Sequence, residues 1–202
     1  MESLLDLLSK CKNARIKKYK RGELITTYIP NRKQIGVLVE GNADLIRYDY
    51  DGNRNIIERF GYGDVYGEIF HAKENINGLI VEAVSNVVIV QLEYNVITHP
   101  CNQNCPVHTL INNEISRMVL EKIKYLNTRI ELLTKRTTRE KILAYFTLVS
   151  KGRINKSFRL PFSYTDLADY LNVDRSAMTR EIRTLVEDGF IKKDNRNITM
   201  LY

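Results

Sequence analysis

Ser163-Tyr164-Thr165-Asp166-Leu167-Ala168-Asp169-Tyr170-Leu171-Asn172-Val173-Asp174-Arg175-Ser176-Ala177-Met178-Thr179-Arg180-Glu181-Ile182 decides how the rest of the chain is read. A serine followed three residues later by an acid satisfies the free amides of a first helical turn, so Ser163 and Asp166 predict a short helix. Leu167, Ala168 and Leu171 recur at helical spacing and are expected to face inward, with Ala168 small where two helices cross. Asn172 tolerates the left-handed backbone that ends a helix. Asp174 then caps a second helix with Met178, Ile182, Leu185 and Val186 on its inward face and Gly189 as its stop. Two short helices joined by a tight turn form a helix-turn-helix, whose second helix is expected in the major groove of DNA.

The outward face of that second helix is Ser176, Thr179, Arg180 and Arg183, with Arg175 at its leading end. Arginine suits guanine O6 and N7 or a phosphate, and hydroxyls suit base edges or phosphates. Taken alone, the same stretch also reads as a helical hairpin with a solvated basic face. The residues after Gly189 favour DNA: Phe190–Lys193, a turn over Asp194–Asn197 and Ile198–Leu201 read as a β-hairpin. Such a hairpin behind a recognition helix is a wing, and its Lys192 and Arg196 are candidate backbone contacts.

At 202 residues with 44% hydrophobic content, the chain can bury one large core or two small ones. No apolar run reaches the length of a membrane span and no signal-peptide pattern opens the chain, so no membrane partner and a cytoplasmic location are expected. Cys11, Cys101 and Cys105 are an odd set, which argues against a disulfide framework. The net charge of +7 is uneven. Residues 1–106 carry 13 basic and 13 acidic side chains, whereas residues 136–202 carry 13 basic and 8 acidic. The excess lies in and beside the helix-turn-helix, where a phosphate backbone would favour it.

Before that, residues 1–106 read as a short helix over Leu4–Leu8 followed by strands. These are Arg15–Tyr19, Glu23–Tyr28, Ile35–Val39, Ala43–Tyr48, Asn55–Phe60, Leu79–Ala83 and Val87–Leu92, separated by Gly-bearing turns. The expected class is α+β: an N-terminal double-stranded β-helix of jelly-roll or cupin-like type, a long dimerisation helix and a C-terminal winged helix-turn-helix. The expected divisions are a sensing domain over 1–106, the helix over 107–135 and the DNA-binding domain over 136–202.

Lys20-Arg21-Gly22-Glu23-Leu24-Ile25, Val39-Glu40-Gly41 and Gly61-Tyr62-Gly63-Asp64-Val65-Tyr66-Gly67-Glu68-Ile69 are landmarks of a cyclic-nucleotide-binding-type β-roll. With the helix and winged helix-turn-helix downstream, the chain resembles the Crp/Fnr family of bacterial transcription regulators over about residues 15–202. The resemblance implies an effector site in the β-roll at Gly67, Glu68 and Ile69, a homodimer, double-stranded DNA as partner and RNA polymerase as a further partner for an activator. It also implies that Glu68 would hold a ribose hydroxyl in nucleotide-binding members. The sequence departs from the family where an arginine should hold the cyclic phosphate: Asn77-Gly78-Leu79-Ile80 stands there. A buried phosphate lacking a cation is poorly compensated, so the expected effector is not cyclic AMP and no cofactor is required. On the family pattern, Arg175, Ser176, Thr179 and Arg180 match the positions that read bases. Many relatives carry glutamate in place of Ser176, which implies a different half-site here.

His99-Pro100-Cys101 through Cys105-Pro106-Val107-His108 places Cys101, Cys105 and His108 at i, i+4 and i+7. Three readings stay open: plain packing, a thiol pair sensing redox, and a metal site completed by His99 or Cys11. Val107–Lys135 contains neither proline nor glycine, which suits one helix of about 43 Å at about 1.5 Å per residue. Val119, Ile123, Leu126, Ile130 and Leu133 alternate spacings of four and three, a coiled-coil seam for a parallel homodimer. Ile111, Ile115, Met118 and Leu120 widen the apolar surface toward the β-roll. A two-fold dimer would place its recognition helices about one DNA turn apart, so an inverted-repeat operator is expected. Thr137 and Glu140 form a capping box for a further helix with Ile142, Leu143, Tyr145, Phe146 and Leu148 as core. The chain's histidines are His71, His99 and His108, with no His-x-His pair, so no catalytic site is expected. The rival without sequence recognition is a nonspecific nucleic-acid-binding protein.

Overall fold

The computed structural model describes residues 13–27, 34–67, 78–95, 99 and 106–202, with backbone alone for Pro106, Val107 and Ile111. The expected first helix, Cys11, Glu68, Ile69, His71, Cys101 and Cys105 lie outside the described residues. The chain forms two compact units, Met1–Tyr125 and Leu126–Tyr202.

Among the described residues, the first unit is built on eight strands: β1 Arg15–Tyr19, β2 Leu24–Thr27, β3 Gln34–Glu40, β4 Ala43–Tyr48, β5 Arg54–Phe60, β6 Val65–Gly67, β7 Leu79–Ala83 and β8 Val87–Glu93. They make two four-stranded antiparallel sheets, in the orders β1-β8-β3-β6 and β2-β7-β4-β5. Alternation drives the layering. In β7, Leu79, Val81 and Ala83 are buried while Ile80 and Glu82 are only half-covered, as a pleated strand with one packed face requires. Leu38, Leu45, Phe60, Val81 and Ile89 are part of the core. All seven expected strands form, within two residues of their expected ends. Strand β6 is not among the expected ones, and at three residues it is too short to show alternation. It pairs with β3 so that Gly36 faces Tyr66. A Cβ on Gly36 would stand 2.1 Å from the Tyr66 ring, so only glycine admits that ring.

Ion pairs are buried in this unit. Asp44, wholly covered, accepts from Arg59 Nε at 2.7 Å and Nη2 at 2.8 Å, with Arg54 Nη2 at 3.4 Å. Lys122 donates to Glu58 Oε2 at 2.7 Å and to the Val65 carbonyl at 3.2 Å. Its ammonium also lies 5.0 Å from the centre of the Phe60 ring.

Helix α1 runs from Pro106 to Leu133; proline as the first helical residue loses no bond there. It carries two stripes. Ile115, Met118, Lys122, Arg129 and Leu132 are buried at spacings of three, four or seven. Roughly a quarter-turn away, Ile123 is 49%, Leu126 40% and Ile130 60% exposed, with Val119 and Leu133 half-covered. Leu120, expected toward the β-roll, is 59% exposed instead. At 100° per residue it lies on the side of the helix opposite Met118 and Lys122.

The second unit contains the end of α1, then α2 Thr138–Ser150, β9 Ser157–Arg159, α3 Tyr164–Leu171, α4 Arg175–Glu187, β10 Ile191–Asp194 and β11 Asn197–Met200. Its core includes Ile142, Phe146, Leu160, Leu167, Leu171, Met178, Leu185 and Ile198. Leu148, expected in this core, is 46% exposed on the far side of α2. The capping box of α2 is complete: Glu140 N donates to the Thr137 hydroxyl at 3.1 Å, and Thr137 N donates to the Glu140 carboxylate at 3.0 Å.

Candidate nucleic-acid interface

The helix-turn-helix is held at each end by the residues that predict it. Asp166 N donates to Ser163 Oγ at 3.1 Å, and Asn172 closes α3 in the left-handed region at φ 49°. Ala177 N donates to Asp174 Oδ1 at 2.7 Å at the start of α4. Asp188 forms the cap at the other end, and Gly189 follows at φ 74°. Gly189 N then reaches the Val186 carbonyl and Phe190 N the Leu185 carbonyl, the paired bonds of a Schellman ending.

Behind the helices, Phe162 stacks on Tyr170 with centroids 4.6 Å apart, and Tyr145 meets Tyr170 edge-on and Phe162 at a tilt. Arg129 from α1 lies 3.6 Å over the Tyr170 ring, and its Nη2 donates to the Tyr170 carbonyl. Arg139 at the start of α2 pairs with Glu181 at 3.2 Å and Asp188 at 2.7 Å. Arg139 thus links the start of α2 to α4 and to its C-terminal cap.

With Met178, Ile182 and Leu185 buried, α4 turns Arg175, Ser176, Thr179, Arg180 and Arg183 to solvent. Val186, expected inward, is 39% exposed. It sits between the buried and solvent arcs and borders a concavity of about 660 Å³ between α4 and the wing, with Tyr164, Thr179, Ile182, Arg183 and Lys193. Arg183 Nε pairs with Glu187 at 2.8 Å. Among the described residues, no ion pair engages the guanidinium of Arg175 or Arg180. Asp174 is held below the usual carboxylate range, chiefly by the Ser176 hydroxyl and then by the Ala177 amide.

The wing is β10 and β11, extended to three strands by β9, in the order β10-β11-β9. Its turn is tighter than expected: Asp194 pairs with Asn197, and Asn195 takes φ 51°. Lys192 is exposed. Arg196 is half-covered, and its Nη2 donates to the Leu160 carbonyl at 2.9 Å, tying the wing to the segment between β9 and α3. Tyr164 hydroxyl donates to the Asn195 carbonyl at 2.7 Å, and burial pushes its pKa up. Lys193, absent from the expected contact set, lies 5.1 Å over the Tyr164 ring. Its place beside the tyrosine that opens α3 has no local sequence signature.

The other expected sites are placed only in part. Gly67 ends β6, where a Cβ would stand 2.6 Å from the Gln34 carbonyl. His108 Nε2 lies 3.1 Å from Asn112 Nδ2, one turn along α1. Among the described residues, no three His, Cys, Asp or Glu side chains cluster as metal ligands, and no helix is long and apolar enough to cross a membrane.

Two capped helices at a tight turn, followed by a basic hairpin, define a winged helix-turn-helix DNA-binding domain. Residues 137–201 match the family description of the Crp-like helix-turn-helix domain. The whole chain is similar in fold to solved regulators. FixK2 from Bradyrhizobium japonicum matches with 18% identity over 93% of this chain and 92% of that one, at TM-score 0.67. CooA from Carboxydothermus hydrogenoformans, solved as a mutant, matches with 13% identity over 98% and 91%, at TM-score 0.73. A CRP/FNR-family transcriptional regulator from Thermus thermophilus matches with 21% identity over 93% and 94%, at TM-score 0.60. Curated protein sequences give no match. Residues 137–201 are therefore a helix-turn-helix domain of Crp-like type, and the chain as a whole shares its fold with these solved structures.

Proposed function

We propose that this chain works as a homodimer that recognises an inverted-repeat DNA operator, with residues 1–106 as the sensing domain, 107–135 as the dimer stalk and 136–202 as the reader. The observation that carries the reading is the division of α4 into a buried apolar face and a solvent face of three arginines and two hydroxyls. Arg175, Ser176, Thr179 and Arg180 read base edges. Arg183, Lys192 and Arg196 lie toward the phosphates, where basic side chains position rather than specify. The stalk seam is Val119, Ile123, Leu126, Ile130 and Leu133. Side chains as apolar as Ile123 and Ile130 at half exposure or more, repeated at seam spacing, are stabilised by a second copy of the same helix. The effector is a ligand other than a cyclic nucleotide, because no Lys or Arg follows Lys73 before the end of β7.

The test is a footprint and gel-shift titration of the full chain on DNA selected from a random pool, together with sedimentation. The expected result is a dimer protecting two half-sites about one helical turn, roughly 34 Å, apart. Uniform affinity for every duplex with steep salt dependence would instead identify a nonspecific binder.

A further inference from the structure

The recognition helix presents its two exposed hydroxyls with their protons already engaged. Ser176 Oγ lies 2.6 Å from Asp174 Oδ1, and Thr179 Oγ1 lies 2.9 Å from the Arg175 carbonyl. Direction is fixed by chemistry in both cases: an ionised carboxylate and a backbone carbonyl only accept, so each hydroxyl donates. The Asp174 carboxylate is itself anchored by the Ala177 amide at 2.7 Å, which keeps it beside Ser176. A free serine hydroxyl can either donate to or accept from a base, so it reads ambiguously. Here each oxygen has only lone pairs left to offer outward.

We infer that Ser176 and Thr179 act as acceptor-only readers, each selecting a base with an amino group in the major groove, adenine or cytosine, against guanine and thymine. Only adenine N6 and cytosine N4 donate in that groove. The neighbouring Arg175 and Arg180 are donors only, so the face combines two readers of opposite polarity. Guanine is expected opposite the arginines and an amino-bearing base opposite each hydroxyl. The helix cap thereby doubles as a specificity element, since Asp174 decides which half of the serine's bonding capacity faces DNA. This rests on the DNA-reading role proposed above for α4.

The experiment is selection of bound DNA from a random pool with the full chain and with Ser176→Ala, Thr179→Val and Asp174→Gly. Thermal unfolding of each variant accompanies it, and glycine at a cap is tolerated nearly as well as the native type. The wild type should enrich adenine or cytosine at two positions per half-site. Ser176→Ala and Thr179→Val should each flatten one of them by about 3- to 10-fold, the worth of one hydrogen bond, while the guanines persist. Asp174→Gly should admit guanine or thymine at the Ser176 position, because the freed proton can then be donated. Replacing the adenine opposite Ser176 by purine, or a cytosine there by 2-pyrimidinone, should weaken wild-type binding by the same factor and leave Ser176→Ala unaffected. A defined inverted repeat that is unchanged in Ser176→Ala and Thr179→Val would overturn the inference and leave the DNA-reading role standing. A pool with no enriched sequence would overturn both.

Discussion

The same residue type does opposite work in the two compact units. In the β-roll, Arg59 is withdrawn from water to embrace Asp44, at 14% and 0% side-chain exposure. On α4, Arg183 meets Glu187 at a similar distance but at 82% and 58% exposure. Among the described residues, Arg175 and Arg180 have no ion-pair partner on that surface. A buried pair of this kind is locked, because removing either charge strands the other in a poor dielectric. An exposed pair in water is worth little and exchanges readily for a better anion. The contrast separates arginines that build the molecule from arginines available to another one.

The largest expected effect is that of Asp44→Ala, which should cost about 3–5 kcal/mol by removing the buried carboxylate that Arg59 and Arg54 share. Urea unfolding of the full chain would read this, and a loss under about 1 kcal/mol would mean that the pair is not locked. Arg180→Ala should leave that stability within about 0.5 kcal/mol and remove about 1–3 kcal/mol of discrimination between operator and random DNA. Unchanged discrimination in a gel-shift titration would place base reading elsewhere. Thr137→Ala should cost about 1 kcal/mol through the lost cap. The neighbouring Glu140 carboxyl is held below its ordinary 4.5, first by the Thr137 backbone amide and then by the Thr137 side chain. Its stabilising effect is therefore present above 4.5 and lost as pH falls through the lower folded value. A pH series of thermal melts should show a shallower acid limb in Thr137→Ala. The smallest effect is Glu187→Gln. Stability should move by less than about 0.5 kcal/mol, while DNA affinity rises at low salt and the gain shrinks as salt is added. A gain independent of salt would point away from release of Arg183.

The parts legible in the sequence are those with a local or periodic signature. Ser163, Asn172, Asp174 and Gly189 fix helix ends through bonds within a few residues, so their pattern survives without tertiary knowledge. The strands of the roll announce themselves by alternation, and the long helix α1 by spacings of three and four. What escapes is long-range and polar. Lys122 and Arg129 look like ordinary solvated helix charges, yet both lie on the buried stripe of α1, reaching Glu58 and Tyr170. Arg196 carries no mark that separates a wing contact with phosphate from its bond to the Leu160 carbonyl. Strand β9 reads in sequence as a mere lead-in to the helix-turn-helix, because three residues hold too little pattern and their partner, β11, comes about 40 residues later. Nor does a sequence state which way a hydroxyl proton points, and that direction is what narrows the reading of Ser176.

Among the described residues, strand β1 lies at one side of its sheet and presents Arg15, Lys17 and Lys18 to solvent. An open strand is a template on which a neighbouring molecule can continue the sheet, and a row of cations repels its own image. At high concentration such a charged edge makes the rolls of neighbouring molecules resist stacking into fibres. Neutralising those three side chains should turn a clear concentrated solution turbid before it alters folding.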